Sequence, residues 1–266
     1  MRWEFFAESG VEITPADLAR YDAIYVSTPR VTCASFAARP GSTRLIARHG
    51  VGYDSVDVTA CNDPGVPLTI KPDGVRRPVA MAAMIFVMAL SQKPFMKDRL
   101  TRAGRWAEKN DHMGTGLVGR TLGLIGAGNI GREIMRLARP FGLHVLATDP
   151  NVDEATMAAE GARRADLDTV LRESGFVVLI CTLTLQTRHL IGSAQLRLMR
   201  PNAYPINVAR GPIVDEAALI AALRERCLAG AGLDVFEQEP VDPANPLLTM
   251  DNVIVTPHAL CWTDEC

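Results

Sequence analysis

The sequence lacks a strong excess of charge, a long hydrophobic run and an obvious targeting segment. Its 28 Lys and Arg residues nearly balance its 30 Asp and Glu residues, so it carries no electrostatic footprint for nucleic acid or an anionic membrane. The most apolar stretch, residues 79–90, is too short to span a bilayer. The N-terminus, Met-Arg-Trp-Glu-Phe-Phe-Ala-Glu, is too short and too acidic for a signal peptide. We therefore expect no nucleic-acid or membrane partner.

Closely spaced cysteine pairs are also missing. The six cysteines, at positions 33, 61, 181, 227, 261 and 266, form no C-x-x-C motif. This pattern indicates reduced thiols in a cytoplasmic protein, with no disulfide framework and no metal site. With 266 residues, 48% of them hydrophobic, the chain is long enough for two domains, each with its own core.

The most informative pattern present is a glycine motif between a predicted strand and a predicted helix. It reads Thr121-Leu-Gly-Leu-Ile-Gly126-Ala-Gly128-Asn129-Ile130-Gly131, which is G-x-G-x-x-G in the setting of a dinucleotide-binding unit. Gly126 permits the tight turn, Gly128 lets the backbone approach a pyrophosphate, and Gly131 lets the helix pack on the strand. The pyrophosphate is then expected at the positive end of the helix that begins near Asn129, next to Ile130.

An acidic residue follows at the spacing that this motif needs. Seventeen residues separate Gly131 from Asp149, which lies at the end of the next apolar run. Its carboxylate can accept hydrogen bonds from the adenosine ribose and would repel a 2′-phosphate, which predicts NAD rather than NADP as the cofactor. The simpler interpretation, that Asp149 only starts the turn at Pro150 and Asn151, is compatible with this one.

The rest of the chain alternates strands and helices. Before residue 76, residues 23–27 and 43–47 are predicted strands. Residues 76–91 form a helix that is apolar nearly all round, so we expect it to be buried or to lie in a subunit interface, with Met81, Met84 and Met88 in the core. After it, the predicted strands are 121–126, 143–148, 176–180, 203–208, 230–234 and 252–256, with helices that begin near 129, 153, 166, 193 and 215. This alternation predicts an α/β fold with a doubly wound parallel sheet.

Polar side chains follow three of these strands, in Asn207-Val-Ala-Arg210-Gly211, Gly232-Leu-Asp234-Val-Phe-Glu-Gln-Glu239-Pro and Val255-Thr-Pro-His258. Because the carboxyl ends of parallel strands share one edge of the sheet, these groups can converge. Together with Arg48-His-Gly50-Val-Gly52, the ordered set resembles the D-isomer-specific 2-hydroxyacid dehydrogenase family over nearly the whole chain. The resemblance implies a Rossmann coenzyme domain, residues 76–258, inserted in a smaller flavodoxin-like substrate domain. That domain would comprise residues 1–75 and a remnant, 259–266. It also implies a homodimer that uses NAD(P).

The resemblance assigns three catalytic residues. Arg210 matches the arginine that anchors the substrate carboxylate, a task suited to its bidentate guanidinium. His258 matches the acid/base histidine, which takes the hydroxyl proton as hydride leaves C2 and returns it in the reverse reaction. Glu239 matches the carboxylate that pairs with this histidine and favours its protonated form. A glutamine at that position marks formate dehydrogenases of the family, so Glu239 argues against formate.

The resemblance also assigns binding residues. Gly50, Val51 and Gly52 match the loop whose backbone N–H groups hold the substrate carboxylate. The residues implied at the cofactor, besides the glycine motif and Asp149, are Thr182, Leu183, Thr187, Val208, Ala209, Asp234 and His258. Thr182 stands where the family has proline.

Several features depart from the family. Compared with it, the chain is expected to be truncated at both ends. Pro205 lies inside a predicted central strand, which should start late or be bulged because proline cannot donate to a β-ladder. Arg226 stands where the family has a glycine that terminates a helix.

The sequence therefore predicts an NAD-dependent oxidoreductase acting on a small D-2-hydroxy acid or 2-keto acid, of the glycerate/hydroxypyruvate or phosphoglycerate kind. The alternative is a catalytically weak or inactive NAD-binding, redox-sensing protein of the same fold. The complete set of Arg210, Glu239 and His258 favours the enzyme, whereas the shortened ends favour loss of activity.

Overall fold

The computed structural model describes residues 2–6, 10–37 and 42–265 and divides the chain into two compact units, Met1–Val75 and Arg76–Cys266. Three residues of the N-terminal segment considered above (Met1, Ala7 and Glu8) and one of the six cysteines (Cys266) lie outside the described residues. Residues 259–265 group with the second unit, which corrects their assignment to the substrate domain. The physical reason is that the buried Asp234 carboxylate accepts hydrogen bonds from the N–H groups of Ala259 and Leu260, at 3.1 and 3.2 Å.

The first unit is built on a three-stranded parallel sheet in the order β1-β2-β3. Its core is formed by apolar side chains of the strands and of the first helix, such as Leu18, Ile24 and Ile46. β1 and β2 were predicted within two residues, but β3 is only two residues long and was not. The elements are α1 (Pro15–Arg20), β1 (Ala23–Val26), β2 (Leu45–Arg48), α2 (Val58–Asn62) and β3 (Leu68–Thr69).

The second unit alternates strands and helices as predicted. Its elements are α3 (Arg76–Gln92), α4 (Pro94–Arg102), β4 (Thr121–Ile125), α5 (Asn129–Ala138), β5 (His144–Thr148), α6 (Glu154–Ala159), β6 (Ala162–Arg164), α7 (Leu167–Glu173), β7 (Phe176–Leu179), α8 (Ser193–Leu198), β8 (Tyr204–Asn207), α9 (Glu216–Arg224), β9 (Ala231–Leu233) and β10 (Val253–Val255). Helix α4 and strand β6 were not predicted. β6 is three residues long and two of its residues are exposed arginines, so it carries little of the apolar signal that identifies a buried strand.

These strands form one parallel sheet in the order β10-β9-β8-β7-β4-β5-β6, which confirms the predicted doubly wound α/β fold. Alternate residues enter two cores: Leu122 and Leu124 pack with α3 and α5 on one face, while Val177 and Leu179 pack with α7 and α9 on the other. The strand order reverses between β4 and β7. In such sheets ligands bind outside the carboxyl ends of the strands at this switch point.

Helix α3 is mostly but not wholly buried. Met84 and Phe86 are almost inaccessible, and Met88 is partly buried. Met81 and Ile85, by contrast, are 43% and 38% exposed, so the prediction that Met81 belongs to the core is wrong. These two residues are one helical turn apart and therefore leave an apolar strip on the surface of the second unit.

No single helix among the described residues is long and apolar enough to cross a membrane. Helices α3 and α4 reach that length and apolar composition only when they are taken together, across a bend of 55°. Buried core helices meet the same criteria.

Pro205 lies inside β8 without a bulge, since the register with β7 runs continuously from Phe176↔Tyr204 to Leu179↔Asn207. The Tyr204 N–H donates to Gly175, just before β7, at 3.0 Å. Successive residues of a strand bond to opposite sides, so the nitrogen of Pro205 faces β9. Pairing with β9 begins only at Ile206. The proline therefore stands just before that ladder begins, as the predicted late start requires.

Arg226 occupies the position of a C-terminal glycine cap. Its φ of 54° is left-handed, its N–H donates to Leu223 at 3.2 Å, and the Cys227 N–H donates to Ala222 at 2.9 Å. This is the bonding pattern of the Schellman motif, which glycine normally completes. The chain therefore ends α9 with the Schellman pattern, but with a side chain in a backbone conformation that is unfavourable for it.

We expect Arg226→Gly to raise the free energy of unfolding by about 1 kcal/mol, because glycine adopts the left-handed conformation without a steric cost. Denaturant unfolding of the purified protein measures this difference. Arg224→Gly is the matched control: it places glycine in the last helical residue of α9 and should lower stability by up to about 1 kcal/mol. An equal effect of the two substitutions would contradict the assignment of the cap.

Candidate active site

The predicted site residues of the second unit all follow the carboxyl ends of its strands. The glycine motif follows β4, Asp149 follows β5, Thr182 and Thr187 follow β7, Arg210 follows β8, Asp234 follows β9 and His258 follows β10. The sheet therefore places these segments along one edge, which includes the switch point between β4 and β7.

The glycine motif has the geometry expected of a dinucleotide-binding turn. Gly126 has φ +112°, and a Cβ there would lie 2.8 Å from the Cys181 nitrogen. A Cβ on Gly131 would lie 2.4 Å from the Gly126 carbonyl oxygen, so the first turn of α5 packs directly on the loop. At Gly128, by contrast, a Cβ would meet nothing within 4 Å. The backbone at Gly128 is thus open to a phosphate group, and the residues fit the cofactor that the motif predicts.

Asp149 supports this turn as well as following it. One carboxylate oxygen accepts a hydrogen bond from the Ala127 N–H and the other from the Asn151 N–H, both at 2.8 Å. Each oxygen retains a second lone pair for a ribose hydroxyl.

Burial, with a smaller contribution from the Asp149 charge, raises the pKa of the neighbouring Cys181 thiol to about 11. This thiol is therefore protonated and unreactive at neutral pH.

We expect Asp149→Ala to weaken NAD binding by about 1.5–3 kcal/mol and to narrow the preference for NAD over NADP, because two charge-assisted hydrogen bonds to the ribose are lost. Calorimetric titration with both cofactors measures the change. Asp149→Asn is the control for the turn, since its amide oxygen can still accept from the Ala127 N–H while the charge is removed. Unchanged NAD affinity in Asp149→Ala would contradict the role of this carboxylate.

The loop after β7 is stabilised by hydrogen bonds between its own residues. The Thr187 hydroxyl donates to the Thr182 carbonyl at 2.7 Å and accepts from the Thr184 N–H at 2.7 Å. Leu183 packs against the core and Thr182 is exposed. The structure therefore gives Thr187 a role in shaping the loop, and the contacts predicted for this segment with the cofactor stay a prediction.

Asn207 fixes the loop that carries Arg210. Its side chain is 2% exposed; it accepts from the Ala209 N–H at 3.1 Å and donates to the Arg210 carbonyl at 2.9 Å. Val208 and Ala209 are buried, and their predicted contacts with the cofactor stay a prediction. This role of Asn207 was not predicted, although a polar residue at the end of a buried strand is a signal for it.

Gly211 brings the Arg210 loop against the loop that carries Glu239. A Cβ on Gly211 would lie 1.9 Å from both the carbon and the oxygen of the Phe236 carbonyl, and 2.4 Å from the Glu237 nitrogen. Only glycine permits this approach. The contact was not predicted, because it joins segments that are distant in the sequence.

The structure brings Glu239 and His258 together. The His258 Nδ1 lies 2.7 Å from Glu239 Oε2, and the Phe236 N–H donates to Glu239 Oε1 at 3.0 Å. Burial by itself would raise the pKa of Glu239, but the His258 hydrogen bond and charge, the Phe236 N–H and the Arg210 charge outweigh burial and hold the pKa below its usual value. Glu239 is therefore ionised at neutral pH, and its carboxylate accepts a hydrogen bond from His258.

Asp234 positions the loop that carries His258. It is 4% exposed, and its Oδ1 accepts from the Thr256 hydroxyl at 2.5 Å and from the two N–H groups that follow His258. His258 itself has a left-handed backbone, with φ 54°, which such fixed neighbours can hold. The predicted contact of Asp234 with the cofactor stays a prediction.

The predicted substrate loop belongs to the first unit, directly after β2. Gly50 has φ +94°, and its carbonyl accepts from the Lys71 N–H at 2.8 Å. The substrate role of Gly50, Val51 and Gly52 stays a prediction. Within the described ranges, no group of three or more His, Cys, Asp or Glu side chains is arranged to hold a metal ion.

The fold and these contacts define an NAD-binding α/β oxidoreductase site. A sequence profile of the NAD binding domain of D-isomer specific 2-hydroxyacid dehydrogenases matches residues 84–259, which is more than half of the chain. This chain therefore belongs to the D-isomer specific 2-hydroxyacid dehydrogenase family, as the sequence predicted.

Individual relatives agree with this assignment. A glyoxylate reductase from Korarchaeum cryptofilum is 39% identical over 241 residues, which cover 90% of this chain and 72% of that protein. A D-3-phosphoglycerate dehydrogenase from Archaeoglobus fulgidus is 35% identical over 249 residues, or 94% of this chain and 47% of that protein. The structure of a D-lactate dehydrogenase from Aquifex aeolicus, in complex with NAD and lactic acid, matches with a TM-score of 0.85 and 28% identity. The match covers 95% of this chain and 80% of that one.

The protein is thus an NAD-dependent oxidoreductase that interconverts small D-2-hydroxy acids and 2-keto acids. The alternative of an inactive NAD-binding protein is not favoured, because the relatives are enzymes and the Glu239–His258 pair is formed.

Proposed function

We propose that this enzyme reduces glyoxylate or hydroxypyruvate, and that Arg210, Glu239 and His258 are its catalytic residues. The observation that carries the proposal is the 2.7 Å contact between His258 Nδ1 and Glu239 Oε2. Because Nδ1 faces the carboxylate, Nε2 is the ring atom left to exchange a proton with the substrate oxygen. The 39% identity to a glyoxylate reductase supports the choice of a small keto acid.

Each residue has a distinct task in this proposal. NAD, when bound, supplies the hydride acceptor or donor. Protonated His258 gives its proton to the carbonyl oxygen during reduction, and neutral His258 takes it back during oxidation. Glu239 stabilises the imidazolium, and Arg210 holds the substrate carboxylate and polarises the carbonyl. For the first unit, we propose that the N–H groups of residues 50–52 bind a substrate carboxylate, as the resemblance to the family implies.

A panel of keto acids tests the substrate. NADH oxidation is followed at fixed enzyme concentration with glyoxylate, hydroxypyruvate, pyruvate and 3-phosphohydroxypyruvate. We expect kcat/KM to be highest for glyoxylate or hydroxypyruvate. A clear preference for the phosphorylated keto acid would contradict the proposed substrate and favour the phosphoglycerate dehydrogenase relatives as the better guide.

We further propose that the enzyme is a homodimer that associates through α3 and the segment around Trp106. The exposed strip of Met81 and Ile85 and the exposed ring of Trp106, at 66%, support an apolar contact there. Sedimentation at micromolar concentration should give a dimer, and Ile85→Glu should shift it towards monomer. A wild-type monomer under these conditions contradicts the proposal.

The remaining proposals rest on the sequence. We propose a cytoplasmic location, which the scattered cysteine pattern supports, and a small-molecule substrate with no nucleic-acid or membrane partner, which the near-zero net charge supports. Fractionation of expressing cells tests the location.

A further inference from the structure

A second histidine–carboxylate pair lies beside the catalytic one. The His189 Nε2 hydrogen-bonds Glu237 Oε1, and Glu237 stands two residues before Glu239. The two side chains are only half-buried, at 48% and 33% exposure. A pair this exposed adds little to the stability of the fold, so stability alone does not account for it.

The backbone of His189 is attached to the Arg210 loop. Its N–H donates to the Pro212 carbonyl at 2.8 Å, and the chain continues beside that loop, with the Ile191 N–H donating to Ile213 at 3.1 Å. His189 is therefore fixed by its main chain to the segment that begins two residues after Arg210.

The side chain of His189 reaches the other catalytic loop. Glu237 is adjacent to Phe236, whose N–H binds Glu239 Oε1. The Glu237 N–H donates to Glu216 Oε2 at 3.1 Å. One residue thus bonds both loops, with its main chain on the Arg210 side and its imidazole on the Glu239 side.

His189 adopts a strained backbone to do so. Its φ is 51°, a left-handed conformation that costs a non-glycine residue about 1 kcal/mol. Left-handed residues other than glycine cluster at functional sites, and His258 shows the same feature. The cost is tolerated here because the bonds to Pro212 and Glu237 hold the residue in place.

We propose that His189 is a positioning residue, which sets the distance between Arg210 and the Glu239–His258 pair through its hydrogen bond to Glu237. This proposal rests on the catalytic roles proposed above. Since Arg210 binds the substrate and His258 transfers the proton, loosening the two loops should raise KM for the keto acid and lower kcat together.

The test compares His189→Leu with His189→Gln. Leucine removes the hydrogen bond, whereas the glutamine amide can still donate to Glu237 from a similar reach. We expect His189→Leu to lower kcat/KM for glyoxylate or hydroxypyruvate by about 10-fold, with NADH affinity unchanged and His189→Gln close to wild type. Glu237→Leu should match His189→Leu, and the double variant should be no worse than either single one. His144→Leu, an exposed histidine at the start of β5, is the matched control and should be unaffected.

Wild-type kinetics in His189→Leu, or additive losses in the double variant, would overturn the proposal. So would a loss that His189→Gln does not restore. Hydrogen exchange in residues 234–240 provides a readout that needs no turnover: it should be faster in His189→Leu than in wild type, and equal exchange overturns the proposal. A wild-type enzyme inactive on every keto acid would instead count against the proposed function, while the exchange experiment would still decide on the link between the loops.

Discussion

His258→Ala is expected to lower turnover by about 10²–10⁴-fold while leaving NAD affinity nearly unchanged. Hydride cannot leave C2 productively while the hydroxyl keeps its proton, so a base must lie within hydrogen-bond reach of that oxygen. His258 is the histidine on the carboxyl edge whose Nδ1 is held by an ionised carboxylate, at 2.7 Å. Asp234 also holds this loop through the N–H groups of Ala259 and Leu260, so we expect the loop to stay in place when the ring is lost.

Two further variants separate chemistry from backbone strain. Because His258 is left-handed, His258→Asn keeps a residue that tolerates this conformation while it removes the base. It should be as inactive as His258→Ala, and His144→Ala should be fully active. Steady-state kinetics and NADH titration measure both properties. Full activity in either His258 variant would show that the assignment is wrong.

The charge of the Glu239 carboxylate should affect the pH dependence of the same reaction. Its lowered pKa keeps it ionised through the neutral range, where it favours protonated His258, the form that reduction needs. Glu239→Gln removes that charge. The pH at which the rate of reduction falls to half its maximum should therefore be lower than in wild type. Cofactor binding should be retained. A pH profile that does not move contradicts the coupling of the two residues.

Gly211→Ala is expected to lower turnover by about 100-fold. A Cβ at this position would lie 1.9 Å from the Phe236 carbonyl, and backbone on both sides leaves no flexible side chain to yield. The Arg210 and Glu239 loops must therefore separate. A displacement of about 1 Å between groups that act on one substrate is enough for a loss of this size.

Gly116→Ala provides the matched control, since a Cβ there would meet nothing within 4 Å. It should keep wild-type kinetics. NADH should still bind to Gly211→Ala, because the glycine motif after β4 and Asp149 after β5 lie on other segments than the displaced loops. Activity of Gly211→Ala within a few fold of wild type would mean that the close contact of the two loops is not required.

Much of the fold could be predicted because local patterns determine it. The strands of the second unit are apolar runs between helical patterns, and the glycine motif identifies the first turn of the Rossmann unit before any contact is known. What the patterns missed is short or exposed. β3 and β6 have two and three residues, and the exposed side of α3 was hidden because Met81 and Ile85 look like core residues.

The candidate site likewise has residues that the sequence predicts and residues that it does not. Arg210, Glu239 and His258 could be named from their motifs, and the structure shows the predicted contact of the last two. The groups that position them could not. The contact of Gly211 with Phe236 and the bond between His189 and Glu237 join segments far apart in the chain, and no periodicity or spacing encodes them. The support that Asp234 gives to the His258 loop could not be predicted either, since it joins two strands that are apart in the sequence.

The chirality of the product tests the central claim most directly. Wild-type enzyme is incubated with NADH and hydroxypyruvate, and the glycerate formed is resolved by chiral chromatography. As a D-isomer specific 2-hydroxyacid dehydrogenase, the enzyme should consume one NADH for each molecule of D-glycerate and form no L-glycerate. L-glycerate as the main product, or NADH binding with no consumption on any 2-keto acid, would contradict the account.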